Sequence, residues 1–378
     1  MNSTDFMNNS LMSSDLMRSN ETTIEALSSR VCEGRTVDNV LELKFGQCRI
    51  RLDTNSAELV QRLEHYFKPF INDDGVADIQ LTALEMPAPD LGLEFTDWKR
   101  DPGKVGRKDS FIDLADGRVC RKVRTGMQYL LSDTESLVFG ECLKNDNQVV
   151  NFLISLYITW LLHRDNVLCH AAALSRYGEG FAIAAFSGGG KSTLALHLMR
   201  KGFDFVSNDR TLIAKREDGV FMSGVPKQPR INPGTVLHNP ALAGVIPQSR
   251  LAQLAKISQQ EIWDLEEKYD ADVEAIFGAG KFQLYAKLKA FVILNWKRDD
   301  SSATKFKRVD IARRPDLLAA VMKSPGPFYM LPGNKAPATI VETDPDDYIP
   351  VLSQVDVYEV TGAVDFDQAV DFCVKEFT

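Results

Sequence analysis

A chain of 378 residues has room for two domains, and 44% hydrophobic with 25% charged residues lets it bury a core without metals or disulfides. A net charge of −8 argues against a broad nucleic-acid-binding surface. The six cysteines form no Cys-x-x-Cys pair, and no His stands at ligand spacing from two of them, so zinc is not expected and reduced thiols are.

The first 30 residues are rich in Ser, Asn and Met, with Phe6 as the single aromatic, and are expected to be disordered. A short helix over Thr22–Ser29 is compatible with that segment, docked or free. No basic stretch precedes an apolar one there, so no secretory signal is expected. From Val37 a β-hairpin is expected, with Val40, Leu41, Leu43 and Phe45 before the Gly46-Gln47 turn and Cys48, Ile50 and Leu52 alternating after it. Ala57–Phe70 carries Leu59, Val60, Leu63, Tyr66 and Phe67 at helical spacing. Short strands are expected at Ala77–Leu84, Leu93–Trp98, Ser110–Leu114, Arg118–Arg124, Tyr129–Leu131 and Leu137–Phe139, separated by Asp, Gly, Pro and Asn. Residues 31–145 thus form a strand-rich α+β domain without a chemical motif.

The region 146–378 is of α/β type. It opens with a buried helix, Gln148–His163. The longest apolar run, 149–162, includes Asn151 and is short for a bilayer span, so no membrane is expected and the cytoplasm is the expected compartment. Strands Val167–Leu174 and Gly180–Phe186 lead to a glycine loop, a helix Lys191–Lys201 and a strand Phe203–Val206. Beyond Asp209 come a strand at Thr211–Lys215, a Pro-rich loop from Pro226 to Pro247 and a polar helix over Gln248–Tyr269. The chain ends with a strand Phe291–Trp296, a helix Pro315–Met322, a strand Val355–Val360 and a terminal helix Asp367–Phe377. The basic stretch from Lys297 to Arg314 suits a solvated face, and Gly278-Ala279-Gly280-Lys281 suits a turn.

Chemistry concentrates at Ala185–Ser192. Ala-Phe-Ser-Gly-Gly-Gly-Lys-Ser fits the P-loop pattern with Ala185 in place of the first Gly, and strand, glycine loop and helix supply the context such a loop needs. Ser187, Gly188, Gly189 and Gly190 let backbone N–H groups turn inward on phosphates, and the helix N-terminus from Lys191 through Ser192 and Thr193 adds its dipole. Lys191 is suited to the β- and γ-phosphates of ATP and the Ser192 hydroxyl to Mg²⁺. Ser207-Asn208-Asp209-Arg210 ends the next strand, where polar groups can hold the metal or orient a nucleophile, although Ser-Asn-Asp is also ordinary turn chemistry.

The run from His170 to Asp209 resembles the catalytic domain of HPr kinase/phosphorylase, and within that family the HPr-kinase-related kinases (HprK-related kinase B). His170 stands 21 residues before Lys191, the family's spacing, and Asn208-Asp209 matches its acidic pair. The Arg-Lys-Gly-Phe helix end and the late Val-Tyr-Glu-Val-Thr-Gly element are also similar. The resemblance covers 165–236 best and does not reach 1–145. It implies a P-loop domain of the HPr kinase/phosphoenolpyruvate carboxykinase type and phosphate transfer to a hydroxyl, often a protein Ser. By carry-over Lys191 and Ser192 serve nucleotide and Mg²⁺, Asp209 the metal or acceptor, and His170 the reacting centre.

Two departures matter. Asn208 stands where the family's general base is usually assigned, and Asn cannot accept a proton at neutral pH. The family's later Glu-x-Arg-Gly motif is absent; its region reads Lys227-Gln228-Pro229-Arg230-Ile231-Asn232-Pro233-Gly234, where Arg230 is suited to clamp phosphate or to hold a rigid loop. The expectation is an ATP-dependent kinase acting on a hydroxyl of a protein or small molecule, with a nucleotide-binding switch or ATPase as the alternative. Oligomeric state is left open.

Overall fold

The computed structural model describes residues 22–72, 75–99, 106–186, 188–258, 261, 262, 265, 267–333, 335–337 and 341–377. Alternating apolar and polar residues build the first half into one eight-stranded sheet: β1 (Asn39–Phe45), β2 (Cys48–Thr54), β3 (Ile79–Glu85), β4 (Thr96–Asp97), β5 (Asp109–Leu114), β6 (Gly117–Lys122), β7 (Gln128–Ser132) and β8 (Ser136–Gly140). Their spatial order is β1-β2-β3-β8-β7-β6-β5-β4. The β2–β3 and β3–β8 pairs are parallel and the others antiparallel. A parallel pair needs a crossover, which a helix over Ala57–Tyr66 supplies between β2 and β3.

The expected disorder over 1–30 needs correction where the structure can be described. Residues 1–21 lie outside the described residues, but α1 (Ile24–Cys32) is a docked helix. Thr23 caps Ala26 N–H, and the Asp116 carboxylate accepts from the N–H groups of Ile24 and Glu25. Ile24, Leu27 and Val31 are buried against Val119, Leu130 and Phe139, roughly 1.5–3 kcal/mol each in apolar burial. The crossover helix, α2 (Ala57–Tyr66), stops short of the expected Phe70. Pro69 disfavours α geometry at Lys68, and the chain continues as one 3₁₀ turn.

The second half begins with α3 (Asp146–Leu162) and a nine-stranded sheet. In chain order its strands are β9 (Val167–Cys169), β10 (Ala171–Arg176), β11 (Glu179–Ala185), β12 (Asp204–Ser207), β13 (Thr211–Arg216) and β14 (Gly219–Ser223). A separate small ribbon pairs β15 (Arg230–Ile231) with β16 (Tyr269–Asp270), and the large sheet resumes with β17 (Tyr285–Leu294), β18 (Lys305–Val309) and β19 (Asp356–Thr361). The chain is thus a mixed α/β protein. The long strand β17 is central: it pairs in parallel with β11 on one side, and on the other with β14 and then β19. Its first half was missed in the sequence, where Ala286 and Leu288 alternate with outward Tyr285, Lys287 and Lys289.

Between these strands lie α4 (Lys191–Met199), α5 (Pro233–Leu237), α6 (Gln248–Leu254), α7 (Val273–Phe277), α8 (Pro345–Leu352) and α9 (Phe366–Phe377). Helices α4 and α9 cover one face of the sheet; α8 and the 3₁₀ segments Ile311–Arg313 and Pro315–Ala320 cover the other. The expected Pro-rich loop therefore contains α5 and a 3₁₀ turn at Pro240–Leu242, because Pro at a first helical position is pre-set for helix. The expected helix Gln248–Tyr269 ends at Leu254. Ser258 and Glu261 exchange side-chain and backbone hydrogen bonds as a capping box, and residues 259, 260, 263, 264 and 266 of the expected helix lie outside the described residues.

One apolar core runs through both halves. Tyr157 of α3 meets Phe45, Phe70 meets Phe282, and Phe328 packs on both Tyr129 and Phe152. A buried cation reinforces the junction. Arg118, 1% exposed, pairs with Asp113 at 2.5 Å and donates to Pro327 O at 3.0 Å, with its guanidinium over Phe111. Arg118→Ala removes these bonds together and leaves a void, so a loss of about 3 kcal/mol in urea denaturation is expected. A loss below about 0.5 kcal/mol would mean that the Pro327 segment is held by its apolar contacts alone.

Candidate active site

Strand β11 is buried from Gly180 to Ala185 and delivers the chain into the glycine loop. Ala185 packs its methyl against the loop beside Gly189. A Cβ placed on Gly189 would already stand 3.0 Å from the Ala185 methyl. Gly188 and Gly190 have φ of +74° and +85°, which side chains resist, and a Cβ on Gly190 would meet the Phe366 ring at 2.5 Å. Trp296 Nε1 donates to Gly189 O at 2.8 Å, turning that carbonyl toward the body. Ser187 lies outside the described residues.

Helix α4 starts at Lys191 with Gly190 as its N-cap, so no side chain occupies its first N–H groups. The first helical bond in the loop is Leu194 N–H to Gly190 O at 2.9 Å. This leaves the N–H groups of Lys191, Ser192 and Thr193 without helical acceptors, a ready anion site. Thr193 Oγ1 is committed elsewhere, 2.9 Å from Thr235 Oγ1 of α5 and buried. That bond ties the loop helix to the segment that carries Lys227 and Arg230.

The charged centre gathers on Asp209. His170 Nε2 lies 3.0 Å from its Oδ1, Lys191 Nζ 3.4 Å from the same oxygen, and Lys323 Nζ 3.4 Å from Oδ2. Burial opposes ionisation of Asp209, but the His170 hydrogen bond and the charges of Lys323 and Lys191 outweigh it and hold the carboxyl well below its usual range. The side chain is still 48% exposed, so solvent screens part of this attraction. Lys191 is buried, which lowers its pKa despite the carboxylate.

Each partner is fixed by backbone pairing. Ser207 Oγ donates to Arg210 O at 2.6 Å and closes the turn bearing Asp209. His170 N–H donates to Val321 O at 2.6 Å, and Cys169 bridges Met322, which brings Lys323 alongside. Tyr348 Oη donates to Leu168 O at 2.6 Å and accepts from Lys323 N–H at 3.3 Å. Lys323 was not found in the sequence. It sits in an irregular Met-Lys-Ser-Pro stretch with no spacing signal, and contacts that include a bridge across 153 residues put it there.

Of the residues singled out in the sequence, His170, Lys191 and Asp209 meet directly. Asn208 is their neighbour, and its buried Oδ1 has no hydrogen-bond partner among the described residues. Arg230 does not join them; it is ion-paired with Asp270 at 3.2 Å on the β15–β16 ribbon. Lys281 of the second glycine loop is likewise engaged, bonded to Asp204 at 2.6 Å. Among the described residues no group of three His, Cys, Asp or Glu is placed to hold a metal. Mg²⁺ in phosphate sites needs only one or two protein oxygens, the rest coming from phosphate and water. The Ser192 hydroxyl, the Asp209 carboxylate and the orphaned Asn208 Oδ1 fit that donor set.

No family model matches the chain, and no curated protein does. Among solved structures it is similar to the Hpr(Ser) kinase/phosphatase from Coxiella burnetii, at 12% identity over 55% of this chain and 88% of that one, with a TM-score of 0.29. A likeness of that size assigns neither fold nor activity. Among the described residues no helix is long and apolar enough to cross a membrane.

Proposed function

We propose that the protein is an ATP-dependent kinase that passes the γ-phosphoryl group to a hydroxyl of a protein or small molecule. The observation that carries this reading is the convergence of Lys191, His170 and Lys323 on Asp209 beside a glycine loop and an uncapped helix start. Transfer of a phosphoryl group is mostly a matter of positioning and charge neutralisation. The loop N–H groups and Lys191 hold the phosphates, and Lys323 supplies further positive charge where negative charge accumulates, with the His170 ring on the same carboxylate. Mg²⁺, held by Ser192 and Asp209 with Asn208 as a further acceptor, would supply charge neutralisation between the phosphates. A carboxyl whose pKa is held so low is a weak base, so Asp209 orients the acceptor hydroxyl and does not take its proton early.

One observation favours the alternative of a nucleotide-binding switch or ATPase: among the described residues Asp209 is the single carboxylate in contact with Lys191, and Asn208 cannot act as a base. ADP release measured with Mg-ATP separates the two. The kinase reading expects release that rises severalfold when an acceptor fraction is added, with label from γ-phosphate appearing in that fraction. Release that is independent of any acceptor favours the ATPase, and binding without release favours the switch.

A further inference from the structure

Away from the glycine loop, a cavity of about 180 Å³ opens where α2 and α3 meet the segment between β14 and β15. Leu63, Tyr66 and Val150 make part of its wall apolar. The rest is charged, and the charges are unequally paired. Arg62 is held by Glu58 and Asp146, and Arg230 by Asp270. Lys227 differs: its ammonium donates at 2.5 Å to the neutral amide oxygen of Asn151, and no carboxylate among the described residues pairs with it. The first turn of α3 faces the same space through Asp146 and Asn147, and its N-cap Asn145 makes no side-chain capping bond.

A half-buried ammonium facing a cavity with only an amide oxygen beside it is an incomplete ion pair. A single unmatched positive charge suits a single carboxylate better than a doubly charged phosphate. The oxygens of Asp146 and Asp270, which line the same cavity, are acceptors for a donor group on the same ligand. Size narrows the class further, since a cavity of about 150 Å³ holds one benzene molecule. We propose that this cavity binds a small hydroxy- or amino-carboxylic acid, with its carboxylate on Lys227 and its hydroxyl or ammonium toward Asp146 or Asp270. The site is separate from the phosphate nest and does not depend on the kinase reading.

The charges around Lys227 are Arg62 and Asp146 from α2 and α3, Arg230 and Asp270 from the ribbon, and Arg210 with Asp209 behind it. Burial, and then the repulsion of Arg210, lower the Lys227 pKa to about 8. A lysine whose folded pKa lies below its ordinary value of 10.5 costs stability when charged; the cost is complete below about pH 8 and gone above 10.5. Lys227→Met should therefore fold, and should melt higher than wild type at pH 7.

Titration calorimetry of the full chain with lactate and with alanine tests the site. The expected result is saturable binding of at least one of them, with a dissociation constant of about 1 mM at pH 7. Lys227→Met should weaken it roughly tenfold or more, Lys227→Arg should retain most of it, and Lys191→Ala should leave it unchanged. Affinity should fall above about pH 8, as Lys227 loses its proton. Absence of saturable binding with both acids, or equal affinity in Lys227→Met, overturns the proposal. So does loss of binding in Lys191→Ala, which would place the anion in the phosphate nest.

Discussion

Lys191→Ala is expected to weaken Mg-ATP binding by at least about tenfold to a hundredfold while the protein still unfolds cooperatively. The range follows from the value of a hydrogen bond to a charged group, about 1.5–3 kcal/mol, at a site where the ammonium is 12% exposed and already desolvated. Desolvation lowers the pKa of Lys191 in the free protein, so a bound phosphate would relieve a cost that the fold has already incurred. Stability should change little. The ion-pair partner of Lys191 is Asp209, which keeps His170 and Lys323 in the variant. Isothermal calorimetry read beside thermal unfolding checks both halves. Wild-type affinity in a folded variant would remove the glycine loop from the nucleotide site.

Asp209→Asn is expected to abolish measurable phosphoryl transfer, a drop of at least about 10²-fold, and to make ATP affinity less dependent on Mg²⁺. The substitution is nearly isosteric, so the loss is one of charge: the ammonium groups of Lys191 and Lys323 would face a neutral amide beside the His170 ring. Affinity for metal-free ATP should rise, because Lys191 and Lys323 are released from their carboxylate and the phosphates meet one negative charge fewer. The acid limb of stability follows with a definite sign. A carboxyl whose folded pKa is depressed contributes stability that is fully present above its unfolded value, near 3.8, and is lost as pH falls toward the lower folded value. Wild type should therefore exceed Asp209→Asn in melting temperature above about pH 4, and the gap should close below it. An unchanged metal dependence together with unchanged turnover would make Asp209 a turn residue and favour the nucleotide switch.

Much of the secondary structure is local and was legible for that reason. The β1–β2 hairpin follows from alternation around Gly46, and α3 from an almost unbroken apolar run. Misreadings fall where short-range signals compete. Pro233 and Pro240 look like loop residues but begin helical turns, and the prolines in Pro345–Leu352 hid α8. Strand β18, within the basic stretch that suits a solvated face, is an edge strand paired with β19, with mostly outward side chains. An edge strand with one face in water carries too few apolar residues to announce itself.

The same division holds for the candidate site. Strand, glycine loop and helix are contiguous, so the sequence by itself determined where the glycine loop and the uncapped helix start lie and that Asp209 follows at the end of the next strand. Tertiary structure decided the rest. Lys323 reaches Asp209 through the pairing of Cys169 with Met322, and Arg230 is turned to Asp270 on a separate ribbon instead of to the charged centre. It also decided that Lys227 faces a cavity with no carboxylate paired to it among the described residues. Local patterning records which backbone a segment prefers; which distant charges it meets depends on the register of strands and on a core shared by both halves.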